Sequence, residues 1–281
     1  IHTTKGDKIF FSINYVFMIL LAVITLYPML YVLFCSFSSP NEFALVRGIM
    51  FRPAGFSVEG YRMVLKMSTL WQGYRNTLIY VLVGTSISMV MTIMGAYILS
   101  HTDFMLKKVT MILIVFTMYF GGGMIPTYLT VVQMGLNNTM WAVMLPGAVS
   151  VYNMIVLRTS FKGIPTALLE SATIDGANDV TLLFRIILPL SGAALATITL
   201  FYAVGNWSAW YNAMVYLQKR RDLYPLQLIL RDILIVSNID PTTIDDPDLI
   251  ERLEYTRDLV KYALIVVSSV PMMLLYPFVQ K

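Results

Sequence analysis

Of 281 residues, 57% are hydrophobic and only 13% are charged, more apolar surface than one water-soluble core of this size can hide. The mean hydropathy of +0.70 points to a lipid bilayer. The net charge of +4 comes from Lys and Arg scattered among turns between apolar runs, a pattern of interfacial anchoring that argues against a nucleic-acid partner.

An α-helix rises about 1.5 Å per residue, so about 20 apolar residues cross a hydrocarbon layer of about 30 Å. Runs of this kind cover residues 9–37, 76–99, 109–132, 140–157, 190–217 and 260–278. Each is expected to be helical, because a lipid-exposed strand or loop would leave backbone amides without partners. The expected fold is an all-α integral membrane protein, a single domain over residues 1–281 with six transmembrane helices.

The first run follows Lys5 and Lys8 and superficially resembles a secretion signal, but it is too long for one. Leu33 and Phe34 precede Cys35 where lipoprotein cleavage needs small residues; Cys35, the single cysteine, permits no internal disulfide and reads as a small buried side chain. The chain opens at Ile1 without Met, so a few further residues are expected ahead of it. In the third run Gly121, Gly122, Gly123 and Pro126 should loosen or break the helix, as a gate or as glycine-rich packing. These glycines lack the Lys and Ser/Thr that follow in a phosphate loop. Tyr128 in the same run, and Asn153 in the fourth, either bond a neighbouring helix or face a polar path.

Between the fourth and fifth runs lies a polar, helix-forming island. Residues 161–188 read as a short helix, a tight turn and a second helix. Pro165 suits a helix start, Gly176 suits a reversal at positive φ, and Asn178 or Asp179 can cap the next helix, which runs into Pro189. The product is a helical elbow lying across the membrane surface.

The fifth run carries Asn206-Trp207-Ser208-Ala209-Trp210-Tyr211-Asn212. Sugars present apolar faces and hydroxyl rims, so Trp207 and Trp210 can stack on them while Asn206 and Asn212 bond the rims. An aromatic belt at the outer interface accounts for the same pattern. The loop 218–259 is rich in Asp and Arg, with Asp240, Asp245, Asp246, Asp248, Glu251 and Glu254 toward its end. It reads as a solvated loop, and the cluster lacks the spacing of a calcium-binding EF-hand.

The spacing of Glu170, Ala172, Asp175-Gly176-Ala177 and Ile186-Ile187-Leu188-Pro189 resembles the EAA motif of permease subunits of ATP-binding-cassette importers. Ser171 stands where alanine is usual, and Phe184 falls one position beyond the family's aromatic. Gly121-Gly122-Gly123-Met124-Ile125-Pro126-Thr127-Tyr128 and Leu145-Pro146-Gly147-Ala148-Val149-Ser150 are similar to marks of the carbohydrate-uptake branch. The resemblance covers essentially the whole chain. It implies that the elbow is a coupling helix seated in a groove of a cytoplasmic ATPase, with Glu170, Ser171, Ala172, Asp175, Gly176, Ala177 and Pro189 as the coupling residues. Glu170 would pair with a basic residue of that ATPase, and Asp175 and Gly176 would hold the turn. It also implies a second, non-identical permease, two ATPase subunits holding ATP and Mg2+, and an extracellular or periplasmic substrate-binding protein facing the loop 218–259. This chain would bind no cofactor of its own; its setting would be the bacterial cell membrane and its cargo an oligosaccharide or polysaccharide fragment.

An even number of spans puts both termini on one side with the elbow, and 38–75, 133–139 and 218–259 on the other. The terminal side carries eight basic residues and the other side twelve, so the positive-inside tendency taken naively opposes cytoplasmic termini. Seven of the twelve, Lys219, Arg220, Arg221, Arg231, Arg252, Arg257 and Lys261, sit in or beside one long loop, whereas the short turn with Lys107 and Lys108 is the kind the tendency weighs. Cytoplasmic termini therefore rest more on the motif than on charge.

No Walker-type Gly-Lys-Ser/Thr occurs, so ATP hydrolysis must belong to another subunit. His2 and His101 are the only histidines, which leaves no His-based metal cluster and makes a His-containing triad hard to build. The alternative reading, an ion-coupled secondary transporter or channel acting without an ATPase, calls for a charged residue in mid-span, and none is found. An intramembrane enzyme lacks paired nucleophile and base.

Overall fold

The computed structural model describes residues 5–46, 48–100, 106–236 and 247–279, with side chains at 5, 236, 247–257 and 275–279 left aside. His101, Asp240, Asp245 and Asp246, and the side chains of Asp248, Glu251 and Glu254, lie outside the described residues. Within them every regular element is helical, and extended backbone pairs only at the isolated bridge Ser38–Phe56. An all-helical chain is what a lipid setting demands, since a helix satisfies its own backbone.

The chain divides into two compact units, residues 1–70 with 230–273, and residues 71–229 with 274–281. In the first, the helix Lys5–Ser36 presents side chains from Ile9 to Leu33 outward, as a lipid-facing helix does. The chain leaving it is reversed by serines. Ser38 Oγ donates to Phe34 O at 2.7 Å and accepts from Ala54 N at 3.0 Å, and Ser39 N donates to Ala54 O at 2.8 Å. Phe37 stacks on Phe56 at 5.7 Å. The helix Glu59–Lys66 then lies close against the final helix, Pro247–Val279, because Gly60 has no side chain. A Cβ there would stand 3.3 Å from Leu259 O.

The second unit is organised around the long helix Ser68–Ser100, whose turn Tyr80–Gly84 is wound as a π-helix. Its apolar core joins Ala96 and Leu99 to Met154, Leu157 and Phe161 of the helix Val151–Lys162, and to Leu183, Ile187, Ile198 and Tyr202. Small residues bring the backbones together, as at Gly95, where a Cβ would press on Met154 Sδ. A buried hydroxyl joins three segments: Tyr202 OH lies 2.6 Å from Thr92 Oγ1 and accepts from Ser150 N at 3.0 Å.

Two helices, Gly6–Ser36 and Ser68–Ser100, are long and apolar enough to cross a bilayer, and up to four spans result if each bent pair counts as one. The run 109–132 is broken as Gly121–Gly123 suggested. Lys107–Tyr119 and Met124–Gln133 meet at 112°, with Gly123 at φ +85°. The run 140–157 is not continuous either; Met140–Met144 and Val151–Lys162 flank a break whose Gly147 has φ +87°. The run 190–217 splits into Gly192–Ser208 and Tyr211–Tyr216, and Gly192–Ser208 departs from Asp179–Leu190 at 85°. Hydropathy cannot register these breaks, because Gly, Pro and Ser interrupt a helix without making it polar.

Two boundaries also move. The run 76–99 extends back to Ser68, and the polar side chains of its first turns find partners in the protein. Asn76 Nδ2 donates to Asp222 O at 2.8 Å and Tyr224 O at 3.0 Å, Tyr80 OH to Leu223 O at 2.8 Å and Gln72 Nε2 to Asp222 O at 2.9 Å, while Leu226 N donates to Thr77 Oγ1 at 2.8 Å. The expected loop 218–259 is in part helical, with Leu226–Arg231 ahead of the final helix that starts at Pro247. Leu226 and Leu228 are buried, so this segment packs as a core element.

Gly73 permits that packing. A Cβ at this position would lie 3.1 Å from Leu226 Cα and 2.7 Å from Ile229 Cδ1. Gly73→Val should therefore force the 222–229 segment off the helix and destabilise the protein by about 1–3 kcal/mol, the scale of overpacking. Thermal unfolding in detergent should show a clear drop in midpoint, and an unchanged midpoint would refute the close packing.

Candidate functional site

The elbow is built from local rules. Pro165, in extended conformation with ψ 128°, sits at the N-cap of the helix Thr166–Ile174, one position earlier than a helix-starting proline. The helix ends in a Schellman turn: Ala177 N donates to Ala172 O at 2.9 Å and Gly176 N to Thr173 O at 3.0 Å. Gly176 has φ +85° with nothing near its Cβ position, so glycine is needed there for backbone conformation alone. Asp175 is the C-cap, its N–H on Ser171 O at 3.0 Å. Asn178 then caps the next helix, accepting from Thr181 N at 2.8 Å.

The exit helix Asp179–Leu190 buries Leu182, Leu183 and Ile187 and carries Pro189 exposed near its end, before the bend at Ser191. The elbow helix buries no residue. Glu170 and Ser171 are exposed and Ala172 and Ala177 are half-buried. Around them Leu168, Ile174, Val180 and Phe184 are exposed, Ile174 by 86%. A stiff helix offering one carboxylate among uncovered apolar side chains is a surface made to be covered.

The elbow is tied to the C-terminal end of Ser68–Ser100. The Tyr97 hydroxyl reaches the backbone carbonyl and Oδ1 of Asp179, each at 3.2 Å. Two cations close the orphan carbonyls at that helix end, Arg158 Nε on Leu99 O at 2.9 Å and Lys107 Nζ on Ser100 O at 3.2 Å.

The polar residues expected along a path are distributed over separate contacts. Asn206 packs on Gly84 and donates to Thr85 Oγ1 at 3.2 Å. Trp207 is buried with its ring edge-on to Tyr74, centroids 6.3 Å apart; its indole N–H has no hydrogen-bond partner among the described residues. Trp210 lies in the break after Ser208, half-exposed, its ring against Tyr211. Asn212 is half-buried in Tyr211–Tyr216. Tyr128 stacks on Tyr216 at 5.9 Å. Asn153 is buried in the first turn of a helix capped by Ser150, whose Oγ accepts from Asn153 N at 3.3 Å.

Residues the sequence did not single out carry much of the polar order. Gln72, Asn76 and Tyr80 recur every four positions, a single helical stripe, and that spacing was the available signal. Asn138, at φ 59°, links the turns 137–139 and 216–219: its N–H donates to Tyr216 O and its Oδ1 accepts from Lys219 N, both at 2.9 Å. Arg220 hydrogen-bonds Asp222 at 2.7 Å and thereby holds that carboxyl below its ordinary range. Among the described residues no group of three or more His, Cys, Asp or Glu is placed to hold a metal ion.

No family model matches the chain. It is 37% identical over 275 residues to the polygalacturonan/rhamnogalacturonan transport system permease protein YtcP of Bacillus subtilis, covering 98% of this chain and 95% of that one. Protein LplC of the same bacterium is 34% identical over 280 residues, covering 100% and 93%. Among solved structures, a chain of a bacterial ABC transporter involved in the import of the acidic polysaccharide alginate has the same fold at a TM-score of 0.91 and 32% identity, covering 100% of this chain and 98% of that one. Such likeness from end to end is more than a shared motif: the chain belongs to the permease subunits of carbohydrate-uptake ATP-binding-cassette importers.

Proposed function

We propose that this permease forms half of a translocation path for oligosaccharides or polysaccharide fragments, and that fragments of acidic polysaccharides, the class carried by the alginate importer it resembles, are the first to test. The exposed elbow carries this reading: a rigid hairpin with an uncovered apolar rim and Glu170 exposed beside it suits a groove on a separate ATPase. The working assembly would hold this chain, a second homologous permease, two ATPase subunits with ATP and Mg2+, and an extracellular or periplasmic binding protein. In it the chain is a single domain of six spans, counting each broken run as one, set in the bacterial cell membrane with both termini in the cytoplasm.

Closure of the ATPase pair would draw the two elbows together and tilt the spans, opening the cavity outward. Glu170 would fix register through a basic residue on the ATPase, with Ser171, Ala172, Ala177 and Pro189 shaping the contact and Asp175-Gly176 keeping the turn stiff. The path would be lined by Asn206, Trp207, Trp210, Asn212, Asn153 and Tyr128. The chain itself would be non-catalytic.

Copurification separates this reading from an ion-coupled transporter: the tagged permease should bring down a second permease and an ATPase, and recovery alone would sink the proposal. In reconstituted vesicles Glu170→Ala should cut uptake by about tenfold or more, the scale of a lost charge-assisted hydrogen bond, with insertion intact. Wild-type uptake and hydrolysis in that variant would overturn the coupling role. Trp210→Ala should lower maximal uptake by about threefold through loss of ring stacking, with binding-protein-stimulated ATP hydrolysis retained. Unchanged uptake would assign Trp210 to the interfacial belt.

A further inference from the structure

The long helix Ser68–Ser100 is held at both ends by directional bonds to different loops. At the inner end the Tyr97 hydroxyl reaches Asp179 O and Oδ1 at 3.2 Å, and Asp179 is the first residue after the elbow's capped turn. At the outer end Gln72, Asn76 and Tyr80 hold the carbonyls of Asp222, Leu223 and Tyr224. Some 21 residues separate Asn76 from Tyr97, a rod of about 30 Å. Between the ends the rod is braced by the Thr92–Tyr202 contact and by buried Ala96 and Leu99.

A displacement of the elbow has a poor route along its own chain. The exit helix Asp179–Leu190 turns through 85° before Gly192–Ser208 continues, and a bend of that size converts a push into flexing at Ser191. Tyr97 stands before the bend. Leu183 and Ile187 also share the buried cluster with Ala96 and Leu99, but apolar side chains slide over one another, as in shear motions, whereas a hydrogen bond fixes register.

We propose that Tyr97 is a positioning residue whose hydrogen bond to Asp179 passes elbow movement to the second span, and through the Gln72, Asn76 and Tyr80 stripe to the outer turn at 220–226. The inference rests on the importer reading and adds to it a route that bypasses the elbow's own span. It makes the outer turn and the ATPase-facing surface opposite ends of one lever.

The test uses the whole assembly, permease pair, ATPase and binding protein, in vesicles carrying the substrate that the binding protein accepts. Tyr97→Phe removes only the hydroxyl. It should leave assembly and basal ATP hydrolysis unchanged while substrate carried per ATP, and the stimulation of hydrolysis by the loaded binding protein, fall about three- to tenfold, the equivalent of one hydrogen bond. Asp179→Ala keeps only the backbone acceptor and should fall between. A role in stability alone would lower the amount of assembled complex and leave transport per ATP at the wild-type ratio, which overturns the proposal, as does wild-type coupling in both variants. Glu170→Ala is read in the same vesicles: if it uncouples while Tyr97→Phe does not, the lever is wrong and the coupling role of the elbow stands; if neither uncouples, the coupling role fails with it.

Discussion

A peptide group without a hydrogen-bond partner is not tolerated in hydrocarbon, and this constraint organises the second unit of the protein. Among the described residues, several places where the backbone leaves helical geometry are met by a side chain or a tight turn. Ser150, Asn178 and Asn138 serve the breaks around them, and Tyr202 reaches across to the amide of Ser150. The carbonyls of the turn 222–224 are gripped by Gln72, Asn76 and Tyr80. Buried amides and phenols that would be costly alone are here the partners of backbone that would be costlier still.

The same constraint explains why the elbow can be stiff while exposed. Its turn is closed by backbone bonds and by the positive φ of Gly176, so its shape does not wait for a neighbour. What it lacks is cover for Leu168, Ile174, Val180 and Phe184. A preformed surface of this kind loses little conformational entropy on docking, which suits the proposed seat on an ATPase. The chain also bends sharply at Gly121–Gly123, by 112°, and at Ser191, by 85°.

Much was legible in the residues themselves. The lipid setting follows from composition, and the elbow follows from Pro165, Gly176 and Asn178, because capping and turn chemistry are local and need nothing distant. The break in the third run was readable from its glycines for the same reason. Harder to read were the break at 145–150, the split after Ser208 and the helical character of 226–231, since each depends on what lies opposite: Tyr202 for Ser150, Gly73 and Thr77 for Leu226. The aromatic and amide cluster of the fifth run showed the same limit. Its residues are adjacent in sequence, yet Asn206 turns to Gly84 and Thr85, Trp207 to Tyr74, and Trp210 to Tyr211.

By itself the chain determined its solvent, its helical class, the elbow with Glu170 on its exposed face, and through that motif the family to which it belongs. Those depend on transfer free energy and on hydrogen bonds between residues a few positions apart. Only the tertiary structure decided which polar side chains hold backbone groups, that the chain breaks at 145–150 and bends at Ser191, and that Tyr97 meets Asp179 while Asn76 meets Asp222. Such pairings span some 80 to 150 positions, and no local propensity encodes a partner that the chain must fold to reach.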